Sequence, residues 1–252
     1  LTEAVDDYAY TIAHTPAADT LDRADLMIDL GTILQKVNDL NTAQTYYARA
    51  ERLARSAVGS TYQRETLGRA LFNQGDVLKL KWPGDTDAAQ ATRLQQAVDL
   101  LQQAIALYPD ARNDRLARTH IALGDTYRLL GDLDSARRHV ERGRSIAVSY
   151  DSLRSSQADV LALAGRVRGQ IEVAAGDLNA ALASFTEGLR FAEMGNDRTR
   201  RYRLLDDLGE VHEARGELAR AETYYRRAIA LTNELRASLR ATEWAAFTSN
   251  EW

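Results

Sequence analysis

Four histidines, His14, His120, His139 and His212, are the side chains best suited to acid/base work or metal ligation in this chain. None stands in a His-Glu-x-x-His or related interval, so their spacing argues against zinc. His212-Glu213 sets a base beside an acid, yet His212 follows Gly209 by three positions as Tyr127 follows Gly124, and packing at an aromatic place explains it better. Asp206, Asp207 and Glu210 put carboxylates within reach of one another, but a helical surface in a chain with 27% charged residues produces such neighbours by chance. The chain has no cysteine, hence no thiolate nucleophile, disulfide or cysteine metal site. Gly165-Arg166-Val167-Arg168-Gly169 is too short for a phosphate-binding glycine loop and falls inside a predicted helix. The residues therefore predict no catalytic centre, no metal and no cofactor.

Composition narrows the class further. The 252 residues are 45% hydrophobic with only 3 prolines and 15 glycines, which predicts a nearly all-helical protein with a buried core. A net charge of -4 gives no overall attraction to nucleic acid or to an anionic membrane. No apolar run approaches the roughly 20 residues that span a bilayer, and the opening Leu1-Thr2-Glu3-Ala4-Val5 lacks a basic start, so the chain reads as cytoplasmic. It opens without methionine and in mid-helix register at Ala4, Tyr8 and Thr11, so further sequence is expected upstream.

The elements that position these residues repeat. Gly31/Ala43, Gly124/Ala136, Gly169/Ala181 and Gly209/Ala221 each stand twelve positions apart and bracket a turn: Asn38-Asp39-Leu40, Gly131-Asp132-Leu133, Gly176-Asp177-Leu178 and Gly216-Glu217-Leu218. Glycine or asparagine takes the left-handed conformation that ends one helix, and the acidic residue favours the start of the next. Beyond each alanine, Ala43-Tyr47-Ala50, Ala136-Val140-Gly143, Ala181-Phe185-Gly188 and Ala221-Tyr225-Ala228 mark one face of a second helix. Gly75 and Ala97 form a fifth pair, 22 positions apart, and the excess around Trp82-Pro83-Gly84 predicts a longer loop between helices. Hairpins are thus expected over 22–58, 69–109, 114–149, 155–194 and 199–233. Residues 1–16 form a helix of a preceding hairpin and 231–252 a final helix, with Leu231, Leu235, Leu239, Trp244 and Phe247, that covers the open end. A single hairpin cannot hide its apolar face, so the whole of 1–252 should stack as one solenoid.

The pattern of Leu-Gly, an aromatic or long residue three later, a turn glycine, then Ala, aromatic and Ala resembles the tetratricopeptide repeat. It is clearest in Leu123-Gly124 with Tyr127, Gly131, Leu133 and Ala136, and in Leu208-Gly209 with Gly216, Ala221, Tyr225 and Ala228. The resemblance implies an all-α, right-handed α-solenoid of long antiparallel hairpins. It also implies a protein- or peptide-binding groove lined by the first helix of each hairpin. Carried over position by position, that groove comprises Asp25, Ile28, Thr32, Gln35 and Lys36, then Arg69, Phe72, Asp76 and Lys79, then Arg118, Ile121, Asp125 and Arg128. Arg166 and Gln170, and then Arg203, Asp206, Glu210 and Glu213, complete it. A peptide with carboxylates could lie over Arg69, Arg118, Arg128 and Arg166. Alternatively these arginines pair with Asp76 and Asp125 on neighbouring helices.

The stretch Asn233 to Arg240, followed by Glu243-Trp244-Ala245-Ala246-Phe247, resembles the helix that joins tetratricopeptide arrays to CHAT domains, the caspase-like bacterial proteases. On that resemblance a protease domain would follow Trp252 and this chain would be its regulatory arm. A ligand-sensing regulator is a further alternative. Trp82 is expected to fold back over adjacent helices, or else to anchor a partner.

Overall fold

The computed structural model describes residues 2–57, 59–80, 82, 86–108, 114–149 and 155–249, with the backbone alone at residues 2, 3, 155, 235, 236 and 238–249. Every regular element among them is a helix. After α1 (Thr2–His14), the helices follow as pairs: α2 (Thr20–Lys36) with α3 (Leu40–Ser56), and α4 (Thr61–Leu78) with α5 (Asp87–Leu107). Then come α6 (Asp114–Leu129) with α7 (Leu133–Val148), α8 (Ser155–Ala174) with α9 (Leu178–Met194), and α10 (Arg198–Ala214) with α11 (Leu218–Ser249). The protein is thus all-α, built of sequential antiparallel helix pairs. No helix among the described residues is long and apolar enough to cross a membrane.

Turn chemistry sets the helix ends. Asn38, Gly131, Gly176 and Gly216 all have positive φ, between 64° and 83°. Asp39, Asp132 and Asp177 then cap the second helices, their carboxylates accepting the amides of Thr42, Ser135 and Ala180 at 3.2, 3.0 and 2.9 Å. The same device joins one pair to the next at Asn196-Asp197, where Asn196 has φ 55° and Asp197 accepts from the Arg200 amide.

Close approach explains the marker glycines. A Cβ on Gly31 would lie 2.5 Å from the Tyr47 ring, and those on Gly169 and Gly209 would strike Phe185 and Tyr225. Gly75 meets Leu101 and the Ala97 carbonyl in the same way, so its pair keeps the common packing despite the added residues. Those residues lengthen the segment between α4 and α5 and also extend α5 by two turns ahead of Ala97. Trp82 does fold back: its Nε1 donates to the Val77 carbonyl at 3.3 Å, the Arg93 guanidinium lies over its ring, and it packs against the core around Tyr47.

Three expectations change. The second hairpin begins at Thr61, not residue 69, because Ser60 caps α4 by accepting the Gln63 amide. The segment from Leu231 is no separate helix, since α11 runs unbroken from Leu218 to Ser249. The side chains of Leu235, Leu239, Trp244 and Phe247 lie outside the described residues, as do Val58, Pro109 and most of the loop around Trp82. Finally, where one solenoid over 1–252 was expected, the helices group into two compact units, Leu1–Ser149 and Tyr150–Trp252.

Candidate binding face

Within the first unit the first helices α2, α4 and α6 are joined by a ladder of polar side chains. Tyr62 donates from its hydroxyl to Asp22 and Asp25, both at 3.0 Å. Arg69 meets Asp25 at 2.9 Å and Asp29 at 3.0 Å. The Gln35 amide reaches Asp76 at 3.5 Å, and Lys79 bridges Asp76 at 3.0 Å and Asp125 at 3.1 Å, with its side chain only 12% exposed. Arg128 closes the ladder on Asp125 with two bonds, 3.0 and 2.8 Å. Burial pushes the Lys79 ammonium down and the Asp125 carboxyl up. The mutual attraction, with Asp76 and Arg128 helping, outweighs both, so Lys79 is held above the ordinary lysine range and Asp125 below the carboxylate range.

In the second unit Arg166 of α8 grips Asp207 of α10 through Nε at 2.6 Å and Nη2 at 3.1 Å. Asp207 is 8% exposed, and burial raises its carboxyl above the ordinary range although Arg166 and Gln170 bond to it. Glu210 is raised as well, by partial burial and then by Asp206 and Asp207.

Much of the expected groove is therefore internal wiring. Arg69, Arg128, Arg166 and Lys79 are engaged by carboxylates of the same chain, with Asp25, Asp29 and Asp207 as partners beyond the expected Asp76 and Asp125. Ile28 and Ile121 are buried, at 1% and 0% exposure, and line no groove; Gly143 leaves the space that Ile121 fills. Thr32 and Gln35 hold the Tyr47 hydroxyl, which donates to them at 3.3 and 2.9 Å, and Lys36 is exposed. Arg203 and Glu210 are exposed, Asp206 is half-buried, and Glu213 accepts from the Tyr225 hydroxyl.

Several cavities open beside these helices, two of them lined by arginines. The first, about 160 Å³, is lined by Arg69, Phe72 and Asn73 of α4, Tyr108 after α5, and Arg115 and Arg118 of α6. Tyr108 is pushed up to about 12 by burial, against the opposing charges of Arg115 and Arg69. The second, about 140 Å³, lies in the other unit among Leu163 and Arg166 of α8, Asp197, and Arg200 and Arg203 of α10. Asn73, Tyr108, Arg115 and Arg200 were missed in the sequence. A signal existed: Arg115/Arg118 and Arg200/Arg203 stand nine and six positions before Gly124 and Gly209.

The histidines serve packing. His212 is buried, stacked on Tyr224 and 2.8 Å from Glu217; His14 bonds the Tyr10 carbonyl. His120 and His139 meet through their Nδ1 atoms at 3.2 Å, with Tyr127 stacked on His139. Among the described residues no three His, Asp or Glu side chains converge to hold a metal ion.

Residues 86–147 and 203–235 each match a family model described as tetratricopeptide repeat. No curated protein sequence matches the chain. Among solved structures it is similar to BtubC from P. vanneervenii, at 15% identity and TM-score 0.64, over 93% of this chain and 89% of that one. A Rap protein complexed with competence and sporulation factor is also similar, at 15% identity and TM-score 0.69 over 95% of this chain and 67% of that one. A STAND-class signal-transduction ATPase from Pyrococcus horikoshii with a tetratricopeptide repeat sensor matches at 16% identity and TM-score 0.59, over 93% of this chain and 35% of that one. Such identities establish the fold. With repeat matches in both units and helix pairs that keep the Gly/Ala packing, the chain carries tetratricopeptide repeats within a tetratricopeptide-like fold.

Proposed function

We propose that this chain is a non-catalytic binding module that holds a protein or peptide segment on its first helices. The carrying observation is the cavity of Arg69, Phe72, Asn73, Tyr108, Arg115 and Arg118, where apolar rings and hydrogen-bond donors converge at an open surface. The fold supports the reading, since a similar Rap protein is seen in complex with competence and sporulation factor. A random peptide library displayed on phage tests it: peptides should be enriched on the chain and should bind the Phe72→Ala/Arg118→Glu variant at least tenfold more weakly. Failure to enrich any peptide, or equal binding to a folded variant, sinks the proposal.

A second reading makes the chain the sensing arm of a larger protein, a CHAT protease among the options. The unbroken α11 to Ser249 favours it, as does the similarity to an ATPase whose repeats are its sensor. Reading the gene beyond Trp252 decides the protease version: no His and Cys pair there ends it.

A further inference from the structure

The cavity beside Phe72 is framed by two helical stripes. Arg69, Phe72 and Asn73 stand at i, i+3 and i+4 on α4, Arg115 and Arg118 at i and i+3 on α6, and Tyr108 joins them from the end of α5. Its aromatic wall is built in. Gly68 leaves the room that the Tyr108 ring takes, since a Cβ there would come within 2.7 Å of it, and the tyrosine is only 6% exposed. Phe72 is half-buried and packs on the core of Val98, Leu101, Ala122 and Leu123. The cationic wall is already answered within the chain: the terminal nitrogens of Arg69 meet Asp25 at 2.9 Å and Asp29 at 3.0 Å, and Arg115 and Arg118 are engaged as well. Such a guanidinium has little charge left for an anion. It keeps its flat face, which stacks on a ring even while its edge holds a carboxylate.

We infer that this cavity takes one aromatic ring of the bound segment, the side chain of a Phe or Tyr. The inference rests on the reading that the first helices hold a protein segment. Size supports it, since the cavity is about 160 Å³ and a protein cavity of about 150 Å³ holds one benzene ring. Wall chemistry narrows the occupant. Phe72 and Tyr108 offer rings for offset or edge-to-face contact, and the guanidinium groups attract the negative face of an entering ring. A partner's Lys or Arg would meet three cations, and an aliphatic side chain would fill the space without using them. The cavity of about 140 Å³ in the other unit marks the difference, for it has three arginines and similar size but Asp197 in its wall and no ring.

Peptides recovered from the phage library are resynthesised with each Phe or Tyr changed in turn to Ala or to cyclohexylalanine, which keeps the bulk of the ring and removes its π-system. Calorimetry on the intact chain should show one position at which Ala weakens binding about tenfold or more and cyclohexylalanine about fivefold. Arg118→Leu should weaken the aromatic peptide about fivefold without weakening the cyclohexylalanine peptide, and an unchanged circular-dichroism melt confirms its fold. Free p-cresol should bind at least a hundredfold more weakly than the peptide. Peptides that bind with no aromatic requirement overturn the ring assignment and leave peptide binding intact. Cyclohexylalanine binding as tightly as Phe makes the pocket merely apolar and overturns it too, as does p-cresol binding as tightly as the peptide. An aromatic requirement indifferent to Arg118→Leu puts the ring elsewhere and overturns the site. A library that yields no peptide overturns this inference and the function beneath it together.

Discussion

His120 and His139 share one short Nδ1 contact of 3.2 Å, so one nitrogen donates and the other must accept. Protonating the acceptor destroys that arrangement. His120 is accordingly lowered from 6.5 to about 4, first by burial and then by the His139 and Arg142 charges, and His139 is lowered by burial and by Arg138. Between those pH values the unfolded chain binds more protons at this site than the folded one, so its contribution is complete above pH 6.5 and fades as pH falls toward 4. The melting temperature should therefore drop more steeply from pH 7 to 4.5 in the wild type than in His120→Gln. Parallel curves would refute the assignment. Asp207 behaves oppositely because its folded carboxyl is already raised. Arg166→Leu strands that carboxylate and should cost about 3–5 kcal/mol at pH 8. The loss should shrink toward pH 5, where Asp207 takes up a proton that the unfolded chain binds less readily. Chemical denaturation at both pH values measures this, and a deficit that stays constant with pH is the contrary result.

The helix ends were the most legible part of the fold in the sequence, because their causes are local. Gly131 sits at φ 83°, a conformation that costs an L-residue about 1–2 kcal/mol, and Asp132 accepts from the Ser135 amide, which has no partner within its own helix. Gly131→Ala should lower stability by about 1 kcal/mol through the backbone alone. Gly31→Ala acts by another route, forcing a Cβ to within 2.5 Å of the Tyr47 ring, and should cost about 1–3 kcal/mol with a shift in the tyrosine near-ultraviolet signal. If Gly31→Ala is neutral, the ring moves freely and the close-packing account is wrong. What escaped the sequence reading was non-local or masked by a departure from the pattern. Ser60 starts α4 well ahead of its marker Gly75, where Gln74 stands in place of the usual leucine, and Asn196-Asp197 repeats the turn device between pairs, where no twelve-residue interval draws attention to it. The candidate groove was less legible still. Helical periodicity gave the face that carries Arg69 and Arg166, but their partners Asp29 and Asp207 come from other helices at separations of 40 and 41 residues.

At the scale of the whole molecule, the cores are segmented along the chain. The cluster around Tyr47 draws on residues from Ile12 to Val77, whereas the cluster around Phe185 draws on residues from Ala162 to Leu231. The interval between Gly124 and Gly169 is 45 residues, ordinary for this chain, so nothing in the repeat spacing announced a division after Ser149. In a repeat protein stability is close to a sum of local and nearest-neighbour contributions, so damage to one core should stay near its source. Phe185→Ala supplies a clean test, since the ring is 1% exposed and fills the space left by Gly169. Its removal should cost about 3–5 kcal/mol locally. Hydrogen exchange should then speed up in α8, α9 and α10 while α2 and α3 keep their wild-type protection, and denaturation should separate into two steps. A uniform rise in exchange from α2 to α10 would mean that the chain unfolds as one cooperative block, and the segmented cores would then be a feature of packing without a counterpart in stability.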